Sequence, residues 1–516
     1  MKSENQRLVL NLVVSSLVFI TQLSINFWLS PFIISKLGED SLGFITLCTN
    51  FSEYGTLIAV AVNSMASRFM SYEYNRGNTT EANSLFSSVF WSNVAFSIIL
   101  AIFSIFLLHK LDKILSIDQS IIYDVKTALF LTLINLIISF ISTSYAAVPF
   151  VINKMTLNSY TQVISKLLSS LATVILFLNL SPRLYYVNVS ALCASFSALV
   201  LYILIKKSLL PDFSISIKHF SISKVILLIK SGVWVLLSNL NSILLVGMDL
   251  IIANQLIDSK AMGRLSIAKQ LPAVIGNVLG TTSTIFAASL TKTYAKENPT
   301  TLTERVSFSI KILGGCFSVP FAAIIIYGTY FFKLWLPLDV YDSNAIHQIF
   351  ILMLLSLIHV IINAFMYSIH SLLIALNKIK WYSVIIFLCS LLSITLTIIL
   401  TKKTFLGLYA IAGTSTVILG LVNLIIIPLY AEKAARVPHF TYLRPIFKNY
   451  YVFGVILAIF LLVKPILLLN SWFTFLVSMI IISAIGYIIV FMLLLKKAER
   501  KKVFQFAYSL IWRKQN

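Results

Sequence analysis

The chain has 516 residues, 59% of them hydrophobic and 11% charged, with a formal net charge of +22 and a mean hydropathy of +0.93. A soluble domain keeps roughly a quarter of its residues charged to face water, so this composition excludes a soluble protein of that length. No alternating ten-residue strands mark an outer-membrane barrel, and no Walker loop offers an ATP-driven pump its nucleotide site.

Apolar runs long enough to cross a bilayer follow one another along the chain. The first runs from Leu8 past Phe27 without a small-residue cleavage site, so it reads as a membrane helix rather than a signal peptide. Segments near 8–33, 42–66, 85–108, 127–149, 158–180 and 185–205 form a first series. A second lies near 226–256, 263–290, 306–332, 346–376, 379–400 and 406–430, and two more segments lie near 450–469 and 471–495. The expected fold class is an all-α polytopic membrane protein of about fourteen transmembrane helices with both termini cytoplasmic. That topology puts 26 of the 40 Lys and Arg in the tails and even-numbered loops, 11 in the outer loops and three inside segments. The acidic residues divide evenly, so the asymmetry is that of the positive-inside rule, and the net charge calls for membrane lipids rather than a nucleic-acid partner. Three basic stretches, 206–224, 432–448 and 496–514, are expected to fix orientation or to lie along the membrane surface. Cys48, Cys193, Cys316 and Cys389 fall in apolar segments without metal-ligand spacing and are expected to be buried thiols.

An ungapped shift of 220 residues lays segment 1 on segment 7 and segment 2 on segment 8. It pairs Gly43 with Gly263 and Tyr74 with Tyr294. Six crossings separate the copies, so both share one orientation, as in transporters built from parallel repeats. The expected domains are an N-terminal six-helix lobe (1–220), a C-terminal six-helix lobe (221–440), and two additional helices with a basic cytoplasmic tail (441–516).

Several runs carry a family resemblance: Phe32-Ile33-Ile34-Ser35-Lys36-Leu37-Gly38 leading to Leu42-Gly43, then Asn63-Ser64-Met65-Ala66-Ser67-Arg68. Tyr74-Asn75-Arg76-Gly77-Asn78 and Asp249-Leu250-Ile251-Ile252 add to them. With the twelve-helix core and its extra pair, the chain resembles the multidrug/oligosaccharidyl-lipid/polysaccharide exporter superfamily. Within it, the chain resembles the Wzx-type flippases of O-antigen and capsule repeat units. The resemblance implies alternating-access transport of an undecaprenyl-pyrophosphate-linked oligosaccharide across the bacterial inner membrane. It implies no cofactor, H+ or Na+ coupling, and a polysaccharide polymerase and assembly proteins as partners. The same superfamily offers a lipid II flippase and a cation-coupled drug exporter as alternatives. A membrane glycosyltransferase or polymerase would need a longer outer loop than any present here.

A flippase must carry a pyrophosphate and sugars through a low-dielectric slab, which requires a wet cavity with cationic and hydrogen-bonding walls. The embedded ionisable residues are therefore the site candidates. Lys166, Lys269, Arg68, Lys230 and Lys311 are candidates for the substrate cavity, and Lys166 and Lys269 are the deeper ones. Lys311, Lys230 and Arg68 stand close enough to the interface to snorkel instead. Glu53 and Asp249 are candidates for ion coupling or for neutralising a lysine. His359 joins them as a proton carrier, although a hydrogen-bonded packing role suits it and His370 better.

Overall fold

A computed structural model describes residues 23–152, 154, 156–296, 299–376, 378–467, 469–495 and 499–500, and these form helices and links without a strand. In chain order the helices are α1 (Leu23–Leu37), α2 (Glu39–Asn75), α3 (Thr79–Ile114), α4 (Ile122–Ala146), α5 (Val148–Val151), α6 (Thr156–Asn179) and α7 (Tyr186–Leu209). After them come α8 (Ile222–Ser242), α9 (Met248–Leu256), α10 (Ser259–Lys296), α11 (Pro299–Trp335), α12 (Ser343–Ala375) and α13 (Ile379–Lys403). The last four are α14 (Leu408–Leu421), α15 (Ile427–Ala435), α16 (Leu443–Val463) and α17 (Trp472–Leu494). Over the described residues, a helix, whole or broken, thus lies in each predicted segment, the first being described from Leu23 onward. The two termini, and with them the 501–516 part of the basic tail, lie outside the described residues.

Among the described residues ten helices are long and apolar enough to cross a membrane, or eleven if α2, bent by 61° between Leu57 and Ala59, counts as one span. The remaining predicted segments fall short for physical reasons. α1 as described is the short apolar helix Leu23–Leu37. A π-turn at Ile243–Gly247 divides α8 from α9, and α10 carries Lys260, Arg264, Lys269 and Lys292 along its length.

The 220-residue repeat is legible in the helix ends. Moved by 220, the bounds of α2 become 259–295, those of α3 299–334 and those of α6 376–399, against α10, α11 and α13. Helix pairings repeat as well: α3 packs on α4, α4 on α7 and α6 on α7, as α11 packs on α12, α12 on α14 and α13 on α14. The superposed glycines Gly43 and Gly263 meet each other, for a Cβ on Gly43 would stand 3.0 Å from the Gly263 nitrogen.

By packing, the chain forms two compact units, Met1–Ile267 and Ala268–Asn516. In the first, α8 lies against α2 so closely that a Cβ on Gly232 would collide with the Ala61 carbonyl oxygen. α9 is tied to the α3–α4 link by a reciprocal pair: Ser116 N–H donates to Asn254 Oδ1 at 2.8 Å, and Asn254 Nδ2 donates to the Ser116 carbonyl at 3.0 Å. In the second unit the additional pair α16–α17 packs on α11. There Asn449 Nδ2 donates to the Ile310 carbonyl and the Tyr327 hydroxyl to the Phe460 carbonyl, both at 2.8 Å.

One expectation needs correction, and one pair of alternatives narrows. Of the four cysteines only Cys48 is buried, while Cys193 and Cys316 are exposed and Cys389 is half-buried. An apolar run does not distinguish the face turned to the core from the face turned to lipid. Of the three basic stretches, 496–514 lies outside the described residues but for 499–500, and the other two take the linking alternative rather than a surface helix. The 206–224 link holds one 3-10 turn and is fastened to α3 by Ser84, whose hydroxyl donates to the His219 carbonyl at 2.7 Å, and by Ser87, donating to the Ser214 carbonyl at 2.8 Å. The 432–448 link is a tight turn around buried Glu432, which accepts from the backbone N–H of Phe440 at 3.0 Å and of Tyr442 at 2.9 Å.

Candidate translocation surfaces

In the first unit, α2 carries one open polar face. Thr49, Glu53, Thr56, Ser64 and Arg68 are exposed and Asn63, Ser67 and Ser71 half-exposed, at the three- and four-residue spacing that puts them in one row. From Thr49 to Ser71 the row follows α2 through its 61° bend, and at 1.5 Å per residue its two arms span about 29 Å end to end, close to the depth of a hydrocarbon core. Apolar core residues such as Leu47, Ala59, Val62, Ala66 and Met70 hold the other face, so packing turns the polar row outward.

The same face is anchored by a broken helix. The π-turn before α9 releases the Gly247 carbonyl from the regular ladder. The Tyr54 hydroxyl donates to it at 2.5 Å and Asn50 Nδ2 at 3.4 Å. Glu53 and Asp249 both lie within electrostatic reach of Tyr54, so the structure gathers the two acidic candidates at one place. Glu53 faces the open side and Asp249 is buried.

Helix α6 has three faces. Ile164, Leu167, Leu168, Leu171, Ile175 and Leu178 form an exposed apolar stripe suited to lipid, and Ser165 accepts from the Ser197 hydroxyl of α7 at 3.1 Å. Opposite the lipid stripe, Gln162 and Lys166 are exposed one turn apart. Lys166 lies ten residues into the helix, about 15 Å from its start. Buried Thr173 and Phe177 close this polar face further along. An exposed cation that deep, on the side away from lipid, requires a wet surface.

In the second unit, α10 turns Lys269, Ala273, Gly276, Asn277 and Gly280 to one side, with Pro272 inside the helix. A Cβ added at Gly276 or Gly280 would meet nothing within 4 Å, so this row borders open space. Lys269 is within electrostatic reach of His359. His359 Nε2 and Asn363 Nδ2 share a hydrogen bond of 3.1 Å, and Asn423 Nδ2 donates to Asn363 Oδ1 at 3.2 Å. His370 instead stands between the rings of Tyr367 and Tyr382, with centroids 5.8 and 4.7 Å away.

The remaining lysine candidates diverge. Lys230 is exposed on α8 beside Ile226 and Ile229, a place for snorkelling. Lys311 is buried, and its Nζ donates to Glu499 Oε1 at 2.7 Å, so this charge is engaged in fastening α11 to the start of the tail. Attention to ionisable groups missed the neutral ones. Asn93 Nδ2 donates to Asn63 Oδ1 at 3.0 Å and to Ser144 Oγ at 2.8 Å, and Asn188 Nδ2 to Thr132 Oγ1 at 2.7 Å. An asparagine inside an apolar run was the available signal.

Residues 15–170 match the MatE family. The whole chain is similar to an uncharacterized membrane protein of Bacillus subtilis strain 168, EpsK, at 24% identity over 96% of this chain and 97% of that one. Among solved structures it is similar to the lipid II flippase MurJ in an inward closed conformation, with a TM-score of 0.67 at 14% identity over 93% of this chain and 98% of that one. An inward-facing multidrug resistance transporter of the MATE family matches with a TM-score of 0.66 at 12% identity, over 82% of this chain and 99% of that one. The fold is that of the multidrug/oligosaccharidyl-lipid/polysaccharide exporter superfamily. These two solved neighbours are named as a flippase and as a multidrug transporter, and this protein is a multi-pass membrane protein with their fold.

Proposed function

We propose that the protein is a Wzx-type flippase, moving an undecaprenyl-pyrophosphate-linked oligosaccharide repeat unit across the bacterial inner membrane by alternating access for O-antigen or capsule synthesis. The observation that carries the reading is the open polar face of α6, where Gln162 and Lys166 oppose the lipid stripe. A hydrophobic drug cation needs no lysine on such a face, whereas a pyrophosphate does. The α2 row supplies hydroxyl and amide partners for sugars over the depth of the membrane, and Lys269 supplies a second cation on α10. Glu53 with Asp249, or His359 with its asparagines, offers the titratable group that H+ or Na+ coupling would use.

A lipid II flippase is the second reading, favoured by the extent of the MurJ match, since both substrates share a polyprenyl diphosphate. The test is a clean deletion followed by fractionation of lipid-linked sugars. The expected result is loss of surface polymer with repeat units held on the cytoplasmic leaflet. Normal polymer in a strain without a redundant flippase overturns the assignment, and rescue of cells depleted of their lipid II flippase moves it to the second reading.

A further inference from the structure

The second unit holds a cavity of about 750 Å³ apart from the surfaces above. Its walls come from the end of α10 (Tyr294), the first turns of α11 (Leu302, Thr303), the α12–α13 link (Leu376, Lys378), the first turn of α13 (Trp381) and α15 with its cap. From α15 come Tyr430, Lys433 and Arg436. The Tyr430 hydroxyl donates to the Lys378 carbonyl at 2.8 Å, which fixes the link against α15. Arg436 caps α15 in the left-handed region, φ 56°, where glycine is the usual occupant, and the helix end directs its side chain to the cavity. Lys378, Lys433 and Arg436 bring three cations to a lining without a carboxylate, and among the described residues no ion pair engages them.

Three loops that the positive-inside arithmetic assigns to the cytoplasm meet here, so the cavity lies at a membrane rim. Trp381 and Tyr294 are exposed at its edge, as rings at a headgroup level are. Below Lys433, exposed Val417, Leu421, Ile425 and Leu429 follow one another every four residues along α14, the π-turn Val422–Ile426 and α15. An acyl chain has an apolar ridge to lie on, and the ridge leads to the cations. We propose that this cavity is a headgroup site for an anionic phospholipid, with the phosphate on Lys378, Lys433 and Arg436, the polar headgroup against Trp381 and Tyr430, and a tail along the ridge. A soluble phosphate compound would have no use for the ridge, and a zwitterionic lipid would leave the cations unmatched.

The experiment is native mass spectrometry of the full-length protein in neutral detergent, titrated with phosphatidylglycerol or phosphatidylcholine. Phosphatidylglycerol should bind at least tenfold tighter, and Lys433→Gln with Arg436→Gln should erase that preference without lowering the melting temperature. Lys402→Gln with Lys403→Gln, at the far end of α13, should leave it intact. If the double variant melts early, Lys378→Gln alone carries the same reading. Equal retention by the cavity variant, or equal loss in the Lys402/Lys403 control, overturns the site. Displacement of the lipid by an equal concentration of inorganic pyrophosphate reassigns the cavity to a soluble phosphate. Preferential displacement by undecaprenyl diphosphate reassigns it to the transported lipid's headgroup.

Discussion

The two units share helix ends and helix pairings but not the groups that hold the helices together. Among the core helices of the first, side chain meets side chain at Asn93 with Asn63 and Ser144, Asn188 with Thr132 and Ser195 with Asn135, beside bonds to backbone carbonyls such as that of Tyr54 to Gly247. In the second, the Asn423–Asn363 pair stands beside contacts that join a side chain to a backbone carbonyl, as Asn449 to Ile310 and Tyr327 to Phe460. One pair of repeat-related positions shows the difference directly. Asn135 accepts from Ser195 on α7, whereas 220 residues on Leu355 offers its carbonyl to the Thr416 hydroxyl on α14 at 2.8 Å. A repeat can therefore diverge in its polar contacts while its helix lengths stay in step, because length is set by the bilayer and the contacts are set locally.

The largest expected effect breaks close packing in each unit. Gly232→Ala puts a methyl group onto the Ala61 backbone carbonyl, which cannot swing aside, and should cost about 3 kcal/mol. Gly314→Ala meets the Asn449 side-chain amide instead, which can rotate at the expense of its bond to Ile310, so the cost should be about half that. Melting temperatures in detergent read both. Equal losses would show that the amide is held as rigidly as the backbone.

Next come the lysines. Lys166→Ala should cut surface polymer per inserted protein by about tenfold with little change in melting, and Lys166→Arg should keep most of it, because the charge survives on an open face. Lys269→Ala should behave like Lys166→Ala. Lys311→Met should do the reverse, lowering stability by removing the bond that ties α11 to Glu499 while sparing export per folded molecule. Full export by Lys166→Ala would reduce that lysine to a solvated helix face.

How far the sequence foretold these roles follows from what each signal measures. Hydropathy and charge asymmetry report on the bilayer, so helix positions and the repeat were legible. They carry no information about which side of a helix is open. Lys166 and Lys311 look alike in sequence, yet one stands opposite a lipid stripe and the other is buried against Glu499. The gathering of Glu53, Tyr54 and Asp249 rests on the π-turn that releases the Gly247 carbonyl, and nothing in the run Ile243–Gly247 announces a change of helix type. The cationic cavity joins loops remote in sequence, each of which reads alone as a basic link.

A smaller effect separates the two kinds of polar contact. Asn93→Leu removes bonds to two neighbours and leaves Asn63 and Ser144 to find others, at about 1 kcal/mol. Asn423→Leu removes one bond to Asn363, which keeps His359, and should cost about half as much. Chemical denaturation in mixed micelles compares them. A costlier Asn423→Leu would show that the second unit depends on side-chain pairs after all.

The smallest expected effect lies in the links. The α3–α4 link of the first unit is stapled by Asp118, whose carboxylate accepts from the Ser120 backbone N–H and hydroxyl, both at 2.9 Å. These bonds favour the charged form and hold the Asp118 carboxyl below its ordinary value, with nearby Lys260 adding to the shift. A carboxyl depressed by folding contributes stability above its unfolded pKa, and the contribution disappears as pH falls through the folded value. Ser120→Ala keeps the backbone N–H bond and loses the hydroxyl, so the variant should melt slightly below the parent near pH 6. The difference should close as pH falls below about 4 toward complete protonation of the carboxyl. In the second unit the corresponding link ends in Asp342, which accepts from the Ala345 backbone N–H at 2.8 Å as a helix cap. Ser343→Ala, beside that cap and without a part in its bond, should show no such pH-dependent difference. A Ser120→Ala deficit that persists unchanged at low pH would mean that the hydroxyl acts by packing or by a neutral hydrogen bond, and that the charged staple contributes nothing to the first unit's link.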